Sequence, residues 1–533
     1  MKKISCINFS KNEMYELSVA YSLSAMKRAG SCVEYYRISP NNLIEKVNEV
    51  IASNPEMVVF HVSYHSYDIL MECCKKLKIG LSNVIILACN NIASCIAEDL
   101  LRDIKEIDFI VVGEFENTLE EIARSCITRD DIKKIDGLSY YESGQYRQNP
   151  LRQDAEIDTI EFPDRDYDDN NSRNFLILAS RGCEGTCSFC DKNYLYKVNG
   201  NNFHRLRSIA SIVDEIDLLV EKYNCKFVSF IDSSFGMSND LVKRLDDFYS
   251  TLKEKNYWVQ FLFCLRCEQI DQDVINALLK LKEVGLSKVY VGIESFIKDD
   301  LDLYKKRSNE ITNINAIELM KQLNDDMEDY VLEVGYGFIL FNPYTTLEQL
   351  RSNYRELCRN HLFINPYILT TRMSVSVLGT VYKKLEEDGL LKGKVCDYPL
   401  QDRMQRRLQY SFKEDEIQKI YDLTIECTNI IKYRNFNGIE AFRNRYYHYI
   451  GMDSKLRDFD KTYNEWKEVV DSNTRQLFEY IIDGTDEWEI KKKNALLKSV
   501  EVKKQIDKSH ENVNSLRYVL AKKLSKMDEL VFR

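Results

Sequence analysis

Three cysteines open the chemical reading of this chain. The stretch "SRGCEGTCSFC" places Cys183, Cys187 and Cys190 at C-x3-C-x2-C spacing. A metal site built wholly from protein ligands usually takes four. Thiolates also hold iron–sulfur clusters, and a cubane [4Fe–4S] cluster has four irons. Three cysteines would then hold three irons and leave the fourth open to a substrate or cofactor. Zinc is the competing reading. It lacks a second C-x2-C pair, and His204 stands 14 residues beyond Cys190, an unusual spacing. Three buried cysteines with no metal would require chance spacing in a glycine-bearing loop. The cluster is the reading carried forward.

Such a loop needs a rigid element behind it. Strands are expected at "NFLILAS" (174–180), "KFVSFID" (226–232), "WVQFLFCLR" (258–266), "KVYVGIES" (288–295), "LEVGYGFILF" (332–341) and "YILTTRMSV" (367–375), separated by helical segments. Six β/α units predict a whole or partial (β/α)6 barrel over 173–380. In β/α barrels the chemistry sits at the carboxyl ends of strands, and the cysteine loop follows the first strand. Cys264 and Cys267 also make C-x2-C, but i and i+3 on a strand face opposite sides, so no second cluster is expected.

An earlier alternation covers 1–130. Strands are expected at 2–9, 32–39, 56–64, 83–90 and 108–114, which predicts a doubly wound parallel sheet. No G-x-G-x-x-G follows its first strand and no G-x4-G-K-[ST] occurs, so the usual nucleotide phosphate sites are not supported. His61 and His65 near a strand end read as hydrogen-bonded structural residues. Residues 131–172 read as a connector with a hairpin at Ser143-Gly144. Residues 381–533 read as a helical domain, in which the basic and aromatic segment 432–451 reads as a packed helix with snorkelling arginines. The fold class is therefore α/β with an all-helical end.

Composition narrows the class. Hydrophobic residues make up 44% and charged residues 30%, with 7 prolines and 19 glycines, which suits a globular chain. The net charge of −10 argues against nucleic acid or anionic lipid as a partner for the chain as a whole. No apolar run approaches a membrane span, and "MKKISCINFS" has no apolar core of a secretory signal. Sixteen cysteines scattered through strand-like and helix-like segments suit a reduced, cytoplasmic protein.

The loop resembles the radical S-adenosylmethionine superfamily, with Phe189 as the aromatic residue before the last cysteine. The words "FHRLRS", "FVSFIDSSF", "VYVGIES" and "GFILFNPYTTLEQL", together with "IDFIVVGEFENTLEEIA" and "PDRDY", resemble its class with an N-terminal cobalamin-binding domain. The resemblance covers about residues 1–380. It implies a [4Fe–4S] cluster on Cys183, Cys187 and Cys190, and S-adenosylmethionine bound near Phe189. Asp232 and Ser233 are implied near the methionine amino group, Glu294 and Ser295 near the ribose, and Gly335, Gly337 and Phe338 near the adenine. Arg266, Arg205 or Arg207 could pair with the methionine carboxylate. Arg205 and Arg207 read equally well as surface charges.

The class usually carries a glycine pair after the fourth strand of its first domain, where this chain has Cys89-Asn90-Asn91. Asparagine can adopt left-handed conformations, so a cobalamin-binding-like Rossmann-type domain is still expected over 1–130. Its corrin is expected near Ser63, Tyr64, Asn90, Asn91 and Gly113. No D-x-H-x-x-G sequence occurs, so no cobalt–histidine bond through that motif is expected. The implied function is a cobalamin-dependent methyltransferase acting on an unactivated carbon of a natural product or peptide, fed by an external low-potential electron donor. One alternative is a radical enzyme without methylcobalamin, performing epimerisation, dehydration or carbon–carbon bond formation. Another is a non-catalytic iron–sulfur or corrinoid-binding partner protein.

Overall fold

The structure is a computed structural model that describes residues 2–9, 13–63, 66–125, 128–153, 155–166, 174–190, 204–325, 330–393, 408–436 and 438–531. Two compact units make up the chain. One comprises Met1–Met237, Val375–Tyr382 and Gly393–Leu408; the other comprises Ser238–Ser374, Lys383–Lys392 and Gln409–Arg533.

The first unit begins with β1 (Lys3–Asn8), β2 (Cys32–Arg37), β3 (Met57–His61), β4 (Ile85–Cys89) and β5 (Phe109–Val111). They pair in parallel in the order β2-β1-β3-β4-β5. Strands β3 and β4 are almost wholly buried, as a sheet covered by helices on both faces requires. Two apolar cores flank this sheet. One is built on Ile7, Val58, Phe60 and Ile86, the other on Ile4, Cys6, Val59 and Leu87. Alternate residues of one strand feed opposite cores. The expected hairpin forms from β6 (Leu138–Glu142) and β7 (Gln145–Gln148). Ser143 and Gly144 both take positive φ, 51° and 78°, as a type I′ turn demands. The hairpin does not stay in the connector. It adds antiparallel to β5, so the first sheet extends to Gln148.

The same unit then holds β8 (Asn174–Ile177), β9 (Ser180–Gly182), β10 (His204–Leu206) and β11 (Phe227–Phe230). Strands β8 and β11 pair in parallel, and β9 and β10 antiparallel. The second unit contributes β12 (Gln260–Arg266), β13 (Leu286–Glu294) and β14 (Glu333–Phe338), paired in parallel in that order. The strand expected over 367–375 is not formed. It is reduced to one parallel bridge, Phe341 with Arg372, beside a 3-10 turn at Ile368–Thr370. Long helices follow, including Ile439–Ile450, Ser454–Asp483 and the 44-residue Trp488–Val531. No described helix is long and apolar enough to cross a membrane.

Candidate functional site

The cysteine loop is held from three sides within the first unit. Behind it, Asp232 at the end of β11 turns its buried carboxylate toward the chain that enters the loop. It accepts hydrogen bonds from the Ala179 N–H (3.0 Å), the Ser180 N–H and the Ser180 hydroxyl (2.7 Å). Ser233 follows it, half-buried. Gly182, at φ 100°, turns the chain into Cys183. Inside the loop, the Gly185 N–H donates to Cys183 Sγ (3.3 Å), and the Cys190 N–H closes a turn on Cys187 O (3.2 Å). Cys183, Cys187 and Cys190 are each half-buried.

In front, Ser188 O accepts from the N–H groups of Thr380 (2.7 Å) and Val381 (3.1 Å). Gly379 lies so close that a Cβ there would stand 2.6 Å from Ser188 O. Glycine is the residue that permits this approach. Nothing in the local spacing of Gly379 marks this role.

An ion network braces the loop's base. Arg181 is buried and pairs with Glu116 (2.6 Å) and Glu114 (3.1 Å), while Arg205 also pairs with Glu114. Burial works against the Glu114 charge, but Arg181 and Arg205 outweigh it and hold its carboxyl below the ordinary range. Arg207 is also buried, donating to Leu178 O (2.9 Å) and Glu215 (2.6 Å). Neither Arg205 nor Arg207 is a surface charge. Glu114 and Glu116 belong to "GEFENTL", whose side chains therefore join the first domain to the loop.

Among the described residues no group of three or more His, Cys, Asp or Glu side chains is drawn together to hold a single metal ion. The donor set fits a cluster on other grounds. Three soft cysteine sulfurs lie on one loop, each half-buried, over a braced base.

In the second unit, Glu294 ends β13 at φ 70°, a strained conformation for a residue with a Cβ. Its side chain folds back over two glycines. A Cβ on Gly292 would stand 2.9 Å from Glu294 Oε1, and one on Gly337 would stand 3.5 Å from it. Burial raises the Glu294 carboxyl above its usual range, against the pull of Lys306 and Arg266. Lys306, buried, lies 3.8 Å from Glu294 Oε1 and donates to Gly292 O (3.1 Å). No pattern in "LYKKRS" distinguishes it. Arg266 pairs with Glu268. The Ser295 hydroxyl donates to Asp300 (2.7 Å) and neighbours Asn353 (3.1 Å), in a fully buried network. Phe338 packs on Phe296 at 5.6 Å, and Gly335 underlies the Tyr290 ring. Phe189 is half-buried in the cysteine loop.

At the carboxyl ends of the first sheet, the strand order reverses between β1 and β3, the switch point where such sheets bind ligands. His61 there is structural. It is fully buried, its Nε2 lies 2.9 Å from Ser22 Oγ, and burial holds its imidazole down to about 3. Ser63 is buried and hydrogen-bonded with Ser66. Asn90 takes φ 98° and ψ 176°, a backbone region almost exclusive to glycine. Its amide is turned inward. Nδ2 donates to Val62 O (2.5 Å), and Oδ1 accepts from the N–H groups of Ile92 and Ala93. A glycine-like backbone is thus kept with the side chain tucked beneath it. Asn91 is exposed, and the Gly113 N–H donates to Ser94 Oγ (3.0 Å). Tyr64 and His65 lie outside the described residues.

Residues 177–356 match the Radical SAM superfamily. That region is similar to radical S-adenosylmethionine enzymes, a likeness that implies a [4Fe–4S] cluster and S-adenosylmethionine. The chain is 27% identical over 259 residues to an uncharacterized methyltransferase of Pyrococcus horikoshii, covering 47% of this chain and 53% of that one. It is 24% identical over 360 residues to an anaerobic magnesium-protoporphyrin IX monomethyl ester cyclase of Cereibacter sphaeroides, covering 63% of this chain and 55% of that one. It spans about half the length of these curated relatives. The cobalamin-dependent S-adenosylmethionine radical enzyme OxsB, solved with aqua-cobalamin and S-adenosylmethionine bound, superposes with a TM-score of 0.70. That match, at 16% identity, covers 99% of this chain and 84% of OxsB. The expected fold class holds along the chain.

Proposed function

We propose that this radical SAM enzyme is a cobalamin-dependent methyltransferase acting on an unactivated carbon of a natural product or peptide. The observation that carries the reading is Asn90. It keeps a glycine-only backbone at the sheet's switch-point edge, with its side chain tucked inward, so a flat ligand could approach there. The whole-length likeness of fold to a cobalamin enzyme supports it.

Cys183, Cys187 and Cys190 would hold the cluster, with Ser188 fixed by the Gly379 turn. Glu294 would accept hydrogen bonds from ribose hydroxyls, and its position over Gly292 and Gly337 leaves a flat floor beside it. Asp232 acts on the loop itself, since its carboxylate receives the N–H groups of Ala179 and Ser180. Ser63, Asn90, Asn91 and Gly113 would border the corrin. When bound, the cluster and S-adenosylmethionine supply a 5′-deoxyadenosyl radical, and cobalamin supplies the methyl group. An external low-potential donor supplies the electrons. The protein's own residues position the reacting atoms and exclude water. A second reading, radical chemistry without methyl transfer, is favoured by the likeness to a cyclase.

Cobalt content separates the two. Protein purified after growth with hydroxocobalamin is expected to hold near-stoichiometric cobalt with a corrinoid visible spectrum. Full activity in protein without cobalt would remove the methyltransferase reading.

A further inference from the structure

The carboxyl end of β13 brings a carboxylate, an ammonium and a glycine into one small space. The register of β13 on β14 shifts between Gly292 and Glu294. Such a bulge re-aims the side chain beside it. Glu294, at φ 70°, folds back over Gly292. Lys306 reaches the same place from beyond a short helix, Lys298–Tyr304. Lys305 ends that helix at φ 53°, and the Lys306 N–H donates to Leu301 O (2.9 Å), which reverses the chain. The buried ammonium donates to Gly292 O (3.1 Å) and lies 3.8 Å from Glu294 Oε1. A Cβ on Gly292 would stand 2.9 Å from Glu294 Oε1 and 3.3 Å from Lys306 Nζ. Gly292 therefore leaves the room in which the two charges meet.

The neighbouring groups assign Lys306 to Glu294. Arg266 is the other cation acting on this carboxylate, and its Nε donates to Glu268 (2.8 Å). Glu268 also accepts from the Cys267 thiol (3.4 Å). Tyr304 adds a phenol, whose oxygen accepts from Asn342 Nδ2 (3.0 Å). Two carboxylates thus stand among two cations, and Arg266 is committed to Glu268. Among the described residues Lys306 is the ion-pair partner of Glu294, and no hydrogen-bond donor stands closer to its oxygens. Glu294 therefore keeps acceptor capacity for a ligand. Burial raises its carboxyl, against Lys306 and Arg266. A buried carboxylate that loses its cation takes up a proton more readily, and a protonated oxygen is a donor instead of an acceptor.

We propose that Lys306 is a positioning residue that holds the Glu294 carboxylate over Gly292 as the acceptor for the ribose hydroxyls of S-adenosylmethionine. This rests on the reading above that Glu294 receives the ribose. Lys306 acts on the ligand through Glu294 and the Gly292 carbonyl. It also keeps the carboxylate charged, because without it Arg266 alone opposes burial. S-adenosylmethionine affinity therefore becomes pH-dependent when Lys306 loses its charge, and falls as the pH falls.

The test reads S-adenosylmethionine affinity by calorimetry on anaerobically reconstituted full-length protein of checked iron content, at about pH 6.5 and about pH 8.5. The ligand's own amino group titrates in this range, so each variant is compared with wild type at the same pH. Lys306→Met is expected to lose about tenfold or more at the lower pH and less at the higher, since one unit of carboxyl shift is about tenfold. Lys306→Arg, which keeps the charge, is expected to recover most of the loss. In a Glu294→Gln background, which cannot titrate, adding Lys306→Met is expected to change affinity by less than about twofold. Gly292→Ala, whose Cβ crowds both groups without removing a charge, is an independent variant and is expected to weaken binding at both pH values. Wild-type affinity in Lys306→Met or in Gly292→Ala, a loss that is equal at both pH values, or the same loss in the Glu294→Gln background would overturn the proposal. Glu294→Gln alone reports on the ribose reading separately: weakened binding there beside unchanged binding in Lys306→Met sinks the role of Lys306 and leaves that of Glu294.

Discussion

Replacing Gly379 with alanine tests how the cysteine loop is held. The new Cβ would stand 2.6 Å from Ser188 O, where ordinary van der Waals contact begins at 3.4 Å, so loop or turn must yield by about 0.8 Å. Ser188 lies between Cys187 and Cys190, and its carbonyl receives both the Thr380 and Val381 N–H groups. Losing two hydrogen bonds costs about 1–3 kcal/mol. Overpacking a close contact costs about 1–3 kcal/mol. The strain acts on the segment that sets the spacing of two thiolates. Gly379→Ala is therefore expected to lose most of its iron and sulfide after anaerobic reconstitution, or to give an altered electron paramagnetic resonance signal when reduced. A full cluster with an unchanged signal in Gly379→Ala would refute the reasoning.

Glu294→Ala should weaken S-adenosylmethionine affinity by about one to two decades at constant iron content, because bonds to a charged acceptor are worth about 1.5–3 kcal/mol; calorimetry checks it, and unchanged affinity removes Glu294 from the site. Arg181→Met leaves Glu114 and Glu116 buried with a cation removed, and is expected to destabilise by about 3–5 kcal/mol in urea; a loss under about 1 kcal/mol would show that the network is not strongly coupled. His61, held down to about 3 from an ordinary 6.5, binds its proton in the unfolded chain before the folded one. Its contribution to stability is full above about 6.5 and declines as the pH falls toward 3. His61→Gln should flatten that part of the stability–pH curve, and an unchanged slope between pH 6 and 4 would contradict the assignment.

Much of the scaffold was legible in the sequence because periodicity reports burial. The five strands of the first sheet are apolar runs between helical segments, and Ser143-Gly144 is turn chemistry with one solution. The sixth barrel strand misled. "YILTTRMSV" is β-rich, but Asn365 precedes it, and its side chain accepts from the N–H groups of Tyr367 (2.9 Å) and Ile368 (3.3 Å). That local bonding competes with a ladder and winds the chain into a 3-10 turn. Segment 432–451 is a helix over Ile439–Ile450, as expected, but Arg443 is buried and paired with Asp460 (2.7 Å) instead of snorkelling. At the site, spacing could mark three cysteines. It could not mark Gly379 or Arg181, whose partners lie far away in the chain, nor Lys306, which meets Glu294 only because the chain folds back after β13. In the sequence, Asn90 is a departure from a glycine. Only the structure shows that it adopts the glycine's conformation.

The central claim is that Cys183, Cys187 and Cys190 support radical cleavage of S-adenosylmethionine. The direct measurement is 5′-deoxyadenosine released by anaerobically reconstituted protein with S-adenosylmethionine and dithionite. The wild type is expected to release it, and the protein with all three cysteines changed to alanine to hold no cluster and release none. Release by the triple variant, or none from wild type with a full cluster, would contradict the account.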